Sequence, residues 1–454
     1  MSDSHGTLRR LIWLYFWLLL FEGALRKWLF PGLSNALLIV RDPVVLAIYA
    51  LALRDRLLPV SGFVMWILVL AALCFLASFA GIGNLAVTIY GLRADFLHLP
   101  LLFLLPRALS VEDVRKMGCA LLLVSLPMAL LAVKQFQAGP TSPWNVGAGG
   151  EIGGQLFAAQ GKVRASGTFS FATGMATYLA LSTAFLLNDL LGSRRYPRWL
   201  TFAALPALTL ALAVSGSRTA VISVTIVCSL VVYIALRRPA QMQAAARFAL
   251  LALVAALALT WLAPVFKEGL AVHRERFESA GGVREGILVR YGQVFVAAGT
   301  ALSNAPTFGV GLGVGTNVGA NLLRGRREFV LGEGEWQRVI FESGPPLGAS
   351  YIALRVAMLL AVAGTALKAY RAGQILPLLL VSAGGLDLAT GQFGQPTTLG
   401  FAVFPAGLAL TAARAEVASA HASHPQAHLA VASVRGRSPY AEQLHGHGGK
   451  NDAQ

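Results

Sequence analysis

Charge is scarce in this chain. Only 13% of its 454 residues are Asp, Glu, Lys or Arg, against about 25% in ordinary soluble domains. That shortage excludes a soluble globular protein of this length. Cysteine is scarcer still: Cys74, Cys119 and Cys228 each lie inside an apolar run, and their spacing suits neither zinc nor a disulfide framework. They read as small packing residues. No basic tract interleaved with aromatics occurs, which sets nucleic acid aside as a partner. No Gly-Lys-Ser/Thr follows the glycine-rich stretch 309–315, so it is not a nucleotide phosphate loop; it reads as a flexible turn.

What is present is apolar sequence. The chain is 56% hydrophobic with a mean hydropathy of +0.65. Runs long enough to cross about 30 Å of hydrocarbon lie near 11–29, 36–53, 60–80, 85–105, 117–136, 168–188, 200–215, 219–236, 245–266, 347–367, 374–390 and 397–413. The sequence therefore predicts an all-α polytopic membrane domain over 1–413, with about twelve spans. Arg9-Arg10 precede the first run, but Glu22 and Arg26-Lys27 follow it where a cleavage site would stand. It reads as a retained span, not a removed signal.

Basic residues mark alternate connections: Arg9-Arg10, Arg54/Arg56, Arg107/Arg115/Lys116, Arg194/Arg195/Arg198, Arg237/Arg238 and Lys368/Arg371. The positive-inside rule then puts both termini in the cytoplasm and accounts for much of the net charge of +16. Two outer loops are long, 137–163 and 267–344, and the latter holds amphipathic rather than spanning stretches. The tail 414–454, with its five histidines, has the composition of a disordered segment and is not read as a metal site.

Several charges fall in or near the outer half of the membrane. Local pairing would join Glu22 to Arg26, Asp42 to Arg41 and Asp95 to His98. Arg93 and Arg355, deep in the fourth and tenth spans, have no obvious local acid to pair with and are candidates for function. Arg164 and Arg218 each open an apolar segment on the outer side, Arg218 just after the tight turn Ser215-Gly216-Ser217. A guanidinium there fits a phosphate oxygen pair and cannot lose its proton. The alternative is an interfacial anchor reaching to water.

Arg164-Ala-Ser-Gly167-Thr-Phe169, Ser215-Gly-Ser-Arg218 and Gly309-Val-Gly-Leu-Gly313 stand in that order between spans. Together they resemble the O-antigen ligase/polymerase superfamily of bacterial envelope enzymes over roughly residues 10–410. Glu22-Gly-Ala-Leu-Arg26-Lys27-Trp28 and Arg41-Asp42-Pro43 resemble an uncharacterised branch of it. The resemblance implies a metal-independent glycosyltransferase without a cofactor, on the outer face of the inner membrane. It implies a donor glycan carried on undecaprenyl diphosphate, with Arg164 and Arg218 on the diphosphate. Ligases of the superfamily place a His-Asn pair about a dozen residues before a Gly-x-x-Gly. Here the count lands on Glu333, and His273, the one histidine of that loop, lies far upstream.

That departure favours a polymerase of lipid-linked repeat units over a ligase that passes glycan to lipid A–core. A transporter or flippase of lipid-linked sugars is the reading from another class; it would show repeated halves, and none stands out. A chain-length regulator or flippase is an expected partner. For the chemistry, Arg290 and Arg338 are supporting diphosphate candidates, and Glu335 or Glu333 the base that takes the acceptor's proton. For these glutamates a solvated loop is the alternative. No Asp-x-Asp pair of the kind that metal-dependent membrane glycosyltransferases use occurs in the first outer loop.

Overall fold

The computed structural model describes residues 2–81, 83–193, 195–325, 331–332 and 334–414. The tail 415–454, and with it the expectation of disorder, lies outside the described residues. Residues 1–413 form one contact unit, and it is helical. The helices begin with α1 (Ser2–Ala24), α2 (Ser34–Leu37), α3 (Arg41–Arg54), α4 (Gly62–Ser78), α5 (Leu85–Leu92) and α6 (Leu101–Ala108). There follow α7 (Val111–Gln137), α8 (Ala172–Asn188), α9 (Arg198–Val214), α10 (Arg218–Arg237), α11 (Pro239–Leu262) and α12 (Pro264–Glu278). The last are α13 (Val283–Asn304), α14 (Asn317–Arg324), α15 (Glu335–Ser343), α16 (Pro345–Arg371), α17 (Leu376–Thr390) and α18 (Pro396–Ala413). Phe157 and Val163 form an isolated antiparallel bridge, and no strand occurs among the described residues.

Polar caps set where the long helices begin. Ser110 and Asp113 form a reciprocal capping box at the start of α7, satisfying amides that the helix cannot pair internally. Ser61, Asn84 and Ser217 cap α4, α5 and α10 through their side-chain oxygens. Every segment that the sequence marks as a span lies largely on helix, though 36–53 and 245–266 are each broken between two helices. By length and composition, however, seven helices among the described residues qualify to cross a membrane, or eight if Leu85–Leu97 and Leu101–Ala108, bent by 45°, count as one. The bend falls at Pro100, which has no N–H to give the ladder. The architecture is that of a polytopic helical membrane protein.

The middle of the bundle is α8 and α18, whose most apolar windows are 94% and 89% buried, while that of α11 is wholly unburied. A helix apolar on all sides is stable at either place; its neighbours decide which. α17 packs on α8, α16 and α18, and α18 also packs on α6.

π-helical turns interrupt the bundle at Leu25–Leu29 and Arg93–Leu97, both at charged motifs, where such turns commonly mark special sites. At one end of the bundle Arg9 pairs with Asp113 at 2.6 Å. Arg107 there donates to the carbonyls of Leu57 and Leu58, and Arg238 to that of Tyr370. Arg164 and Arg218 lie at the other end, where α7 stops and α8 and α10 begin.

Candidate functional site

Arg164 ends a small hairpin. Ala158 N–H donates to the Lys162 carbonyl (2.7 Å) and Arg164 N–H to that of Leu156 (2.8 Å). The following residues, 166–169, are clamped by the first motif of the chain. Lys27, buried, donates through Nζ to Ser166 Oγ (2.9 Å) and to the carbonyls of Gly167 and Phe169 (both 2.8 Å). Gln135 closes the other side, accepting from the Gly167 N–H at 2.8 Å. Gly23 lies so near residues 168–170 that a Cβ there would overlap their backbone. The Glu22–Trp28 motif thus holds the loop that carries Arg164.

Arg218 is the first residue of α10. The turn before it runs through Gly216 at φ +58°, and a Cβ there would come within 2.8 Å of the Ala158 Cβ. Glycine therefore lets the turn and the hairpin touch, which brings Arg164 and Arg218 to one pocket. Arg276 of α12 completes it, with Phe171, Ala172, Thr173, Ser217, Thr219 and Gln395 among its walls. The guanidinium groups are braced on backbone: Arg164 Nε and Arg276 Nη1 donate to the Phe157 carbonyl (2.9 and 3.1 Å), and Arg218 Nη1 to that of Arg276 (3.3 Å). The N-termini of α8 and α10 line the same pocket, adding helix-dipole potential of the same sign. No carboxylate is among its described lining residues. Such a wall can hold an anion.

A second pocket adjoins it, sharing Gln395 and lined also by Thr316, Asn317, Gln392, Glu335 and Arg338. Behind it stands a buried charge cluster. Arg338 donates to Asp95 (2.7 Å), Glu335 (3.0 Å) and Glu342 (2.6 Å). Arg355 donates to Glu335 (2.8 Å) and to the carbonyls of Leu388 and Gly391 (both 2.8 Å), with Phe393 stacked 3.6 Å from its guanidinium. Burial alone would raise the Glu335 carboxyl, but Arg338 and Arg355 outweigh it and hold it below the usual range. Burial, opposed by Arg338, pushes Glu342 up to about 7.

The expected site residues therefore separate. Arg164 and Arg218 share a pocket. Arg338 lies apart from them, its five N–H donors spent on three carboxylates. Arg290 lies on α13, with its side chain outside the described residues, as is Glu333 altogether. Arg93 and Arg355, with no obvious local acid in sequence, are both paired and buried, Arg93 with Asp42 at 2.6 Å. Two local pairings are replaced: Asp42 takes Arg93 and His98 instead of Arg41, which goes to Glu22 at 3.0 Å, and Asp95 takes Arg338 instead of His98. The stretch 309–315 forms the turn expected, with Gly309, Gly311 and Gly313 at positive φ, but a packed one. It is mostly buried, Gly315 N–H donates to Glu342 at 2.8 Å, and a Cβ on Gly313 would overlap the Val87 carbonyl.

Sequence reasoning missed Arg276, Gln392 and Gln395. Arg276 stands beside Arg274 and Glu275 with nothing to single it out. In the structure His273, one turn earlier, donates through Nε2 to the Leu212 carbonyl (3.1 Å) and fixes α12 against α9. Gln392 and Gln395 did carry a signal, two amides flanking Phe393-Gly394 between apolar helices. No protein-family model, curated protein or solved structure matches this chain.

Proposed function

We propose that the chain is a membrane glycosyltransferase that polymerises oligosaccharide repeat units carried on undecaprenyl diphosphate. The reading has it cross the bacterial inner membrane about twelve times, with both termini cytoplasmic and the arginine pocket on the outer side. The observation that carries it is the convergence of Arg164, Arg218 and Arg276 with two helix N-termini on one pocket at the end of a membrane bundle. A diphosphate on a lipid anchor reaches the protein at that depth and bears the charge the pocket is built to hold.

In the proposed step the acceptor hydroxyl oxygen attacks the anomeric carbon of the donor. The bond from that carbon to the diphosphate oxygen breaks, and the diphosphate leaves with the electron pair. Its growing charge passes into fixed cations, which lower the barrier because they need no reorganisation. The acceptor's proton goes to Glu335, the carboxylate among the described lining residues of the second pocket. Two guanidinium groups keep that carboxylate ionised at rest, at the cost of basicity; a leaving diphosphate demands little of the base.

The test is a gene deletion complemented with wild type, Arg218→Ala or Glu335→Gln, with lipid-linked glycans extracted from each strain. The proposal expects single repeat units to accumulate on undecaprenyl diphosphate in the deletion and in both variants. Full-length lipid-linked chains lacking their final acceptor would instead mark a ligase, and unchanged glycans in the deletion would overturn glycosyl transfer.

A further inference from the structure

We infer that the corner where the end of α10 meets the end of α16 is a docking site for the headgroup of an anionic phospholipid. The inference stands apart from the diphosphate reading, because this corner lies at the opposite end of the bundle from Arg164 and Arg218. Its grounds are a cluster of cations without acids, set directly over exposed apolar side chains.

One contact makes the corner. Arg238, which follows α10, donates to the carbonyl of Tyr370 in the last turn of α16 and lies 4.3 Å from the centre of its ring. Val231 and Ile234 of α10 share a buried apolar cluster with Tyr370, Ile375 and Leu379, so the two helix ends are held together. Three more cations stand close to that contact in sequence: Arg237 beside Arg238, and Lys368 and Arg371 on either side of Tyr370. All three are exposed. Arg237 is itself held 5.4 Å from the centre of the Tyr233 ring. Stacking of this kind uses the face of a guanidinium and leaves its N–H edge for a ligand.

Among the described residues Arg9, Arg54 and Arg115 of this end find carboxylates, in Asp113, Asp55 and Glu112, whereas Arg237, Arg238, Lys368 and Arg371 find none. The helix ends offset part of that charge. Each C-terminus carries roughly half a negative charge, so α10 and α16 together balance about one of the four cations and leave about three. Below them the last turns of α10 expose Val232, Tyr233 and Leu236, and α16 exposes Leu367. A soluble anion gains nothing from that surface. A phospholipid presents phosphate and then hydrocarbon in the same order, and basic pockets between membrane helices bind such headgroups.

The experiment titrates the full chain in detergent micelles with phosphatidylglycerol or phosphatidylcholine and counts bound lipid by native mass spectrometry. Wild type is compared with a corner variant carrying Arg237→Gln, Lys368→Gln and Arg371→Gln, which spares the brace from Arg238. A dispersed variant carrying Arg10→Gln, Arg56→Gln and Lys116→Gln removes the same charge from exposed residues elsewhere at this end. Both are checked for an unchanged thermal midpoint. Wild type is expected to bind its first phosphatidylglycerol at least about tenfold more tightly than phosphatidylcholine. The corner variant is expected to lose that preference and the dispersed variant to keep it within about twofold. In wild type the preference is also expected to weaken as salt rises, a readout that needs no variant. The site is overturned by a wild type without preference, by a preference that salt or the corner variant leaves intact, or by equal loss in the two variants.

Discussion

Lys27 places an ammonium group among three oxygens, from Ser166, Gly167 and Phe169, with no carboxylate among them. Burying such a charge costs several kcal/mol unless its donors are all satisfied, and three oxygens match three N–H bonds. The charge is spent on shape, holding a turn two residues past Arg164. Replacing it by methionine keeps the stem and removes the donors, leaving buried carbonyls without partners. Lys27→Met is predicted to speed backbone hydrogen exchange over 164–170 by at least about tenfold, the effect of losing roughly 1.4 kcal/mol of local stability. Unchanged exchange in that segment would show that the lysine does not hold the turn. What could be read locally at this scale was read: Glu22 and Arg26 pair four residues apart, as a helix allows. Arg93 and Arg355 find their acids 51 and 20 residues away, beyond any local reading.

At the scale of elements, α15 is the piece whose setting the sequence left open. The sequence there predicts a loop with two glutamates, solvated or catalytic, yet Glu335, Arg338 and Glu342 are all buried. What buries them is the glycine stretch before it. Gly309 and Gly344 hold positive φ at +73° and +80°, and a Cβ on either would overlap the other strand of that contact. Glycine content signalled the turn but not the packing, because close approach depends on elements that only the fold brings together. Three carboxylates facing two guanidinium groups leave one negative charge in excess, and Glu342, pushed up to about 7, is where a proton relieves it.

The sign follows from proton binding. Native Glu342 holds its proton more tightly than an unfolded glutamate with a pKa of about 4.3. Its contribution is therefore fully present below that pH and is lost as pH rises through about 7. The thermal midpoint of the wild type is predicted to fall between pH 5 and pH 8, on the scale of about 3 kcal/mol. Glu342→Gln, which keeps the neutral form at every pH, is predicted to flatten that slope. An equal slope in the variant would place the proton elsewhere.

For the whole molecule, hydropathy was enough for the class and most of the helix positions, since a membrane requires every backbone group to be paired within the helix. It gave no arrangement. The apolar runs of α8 and α18 are less hydropathic and richer in Gly and Thr than that of α11, but hydropathy alone does not say that two are central and one is peripheral. The arginine pocket is a product of that arrangement: Arg164, Arg218 and Arg276 come from a loop, a helix start and an outer helix that meet only because α8, α10 and α12 pack around a common end.

Lipid-diphosphate binding at this convergence is tested most plainly by titrating undecaprenyl diphosphate against the full chain in nanodiscs. Undecaprenyl monophosphate and a variant with Arg164, Arg218 and Arg276 all changed to alanine serve as comparisons. Wild type is expected to prefer the diphosphate and the triple variant to lose at least about a hundredfold in affinity, since charge-assisted hydrogen bonds contribute roughly 1.5–3 kcal/mol each. A triple variant that binds the diphosphate as tightly as wild type would contradict it.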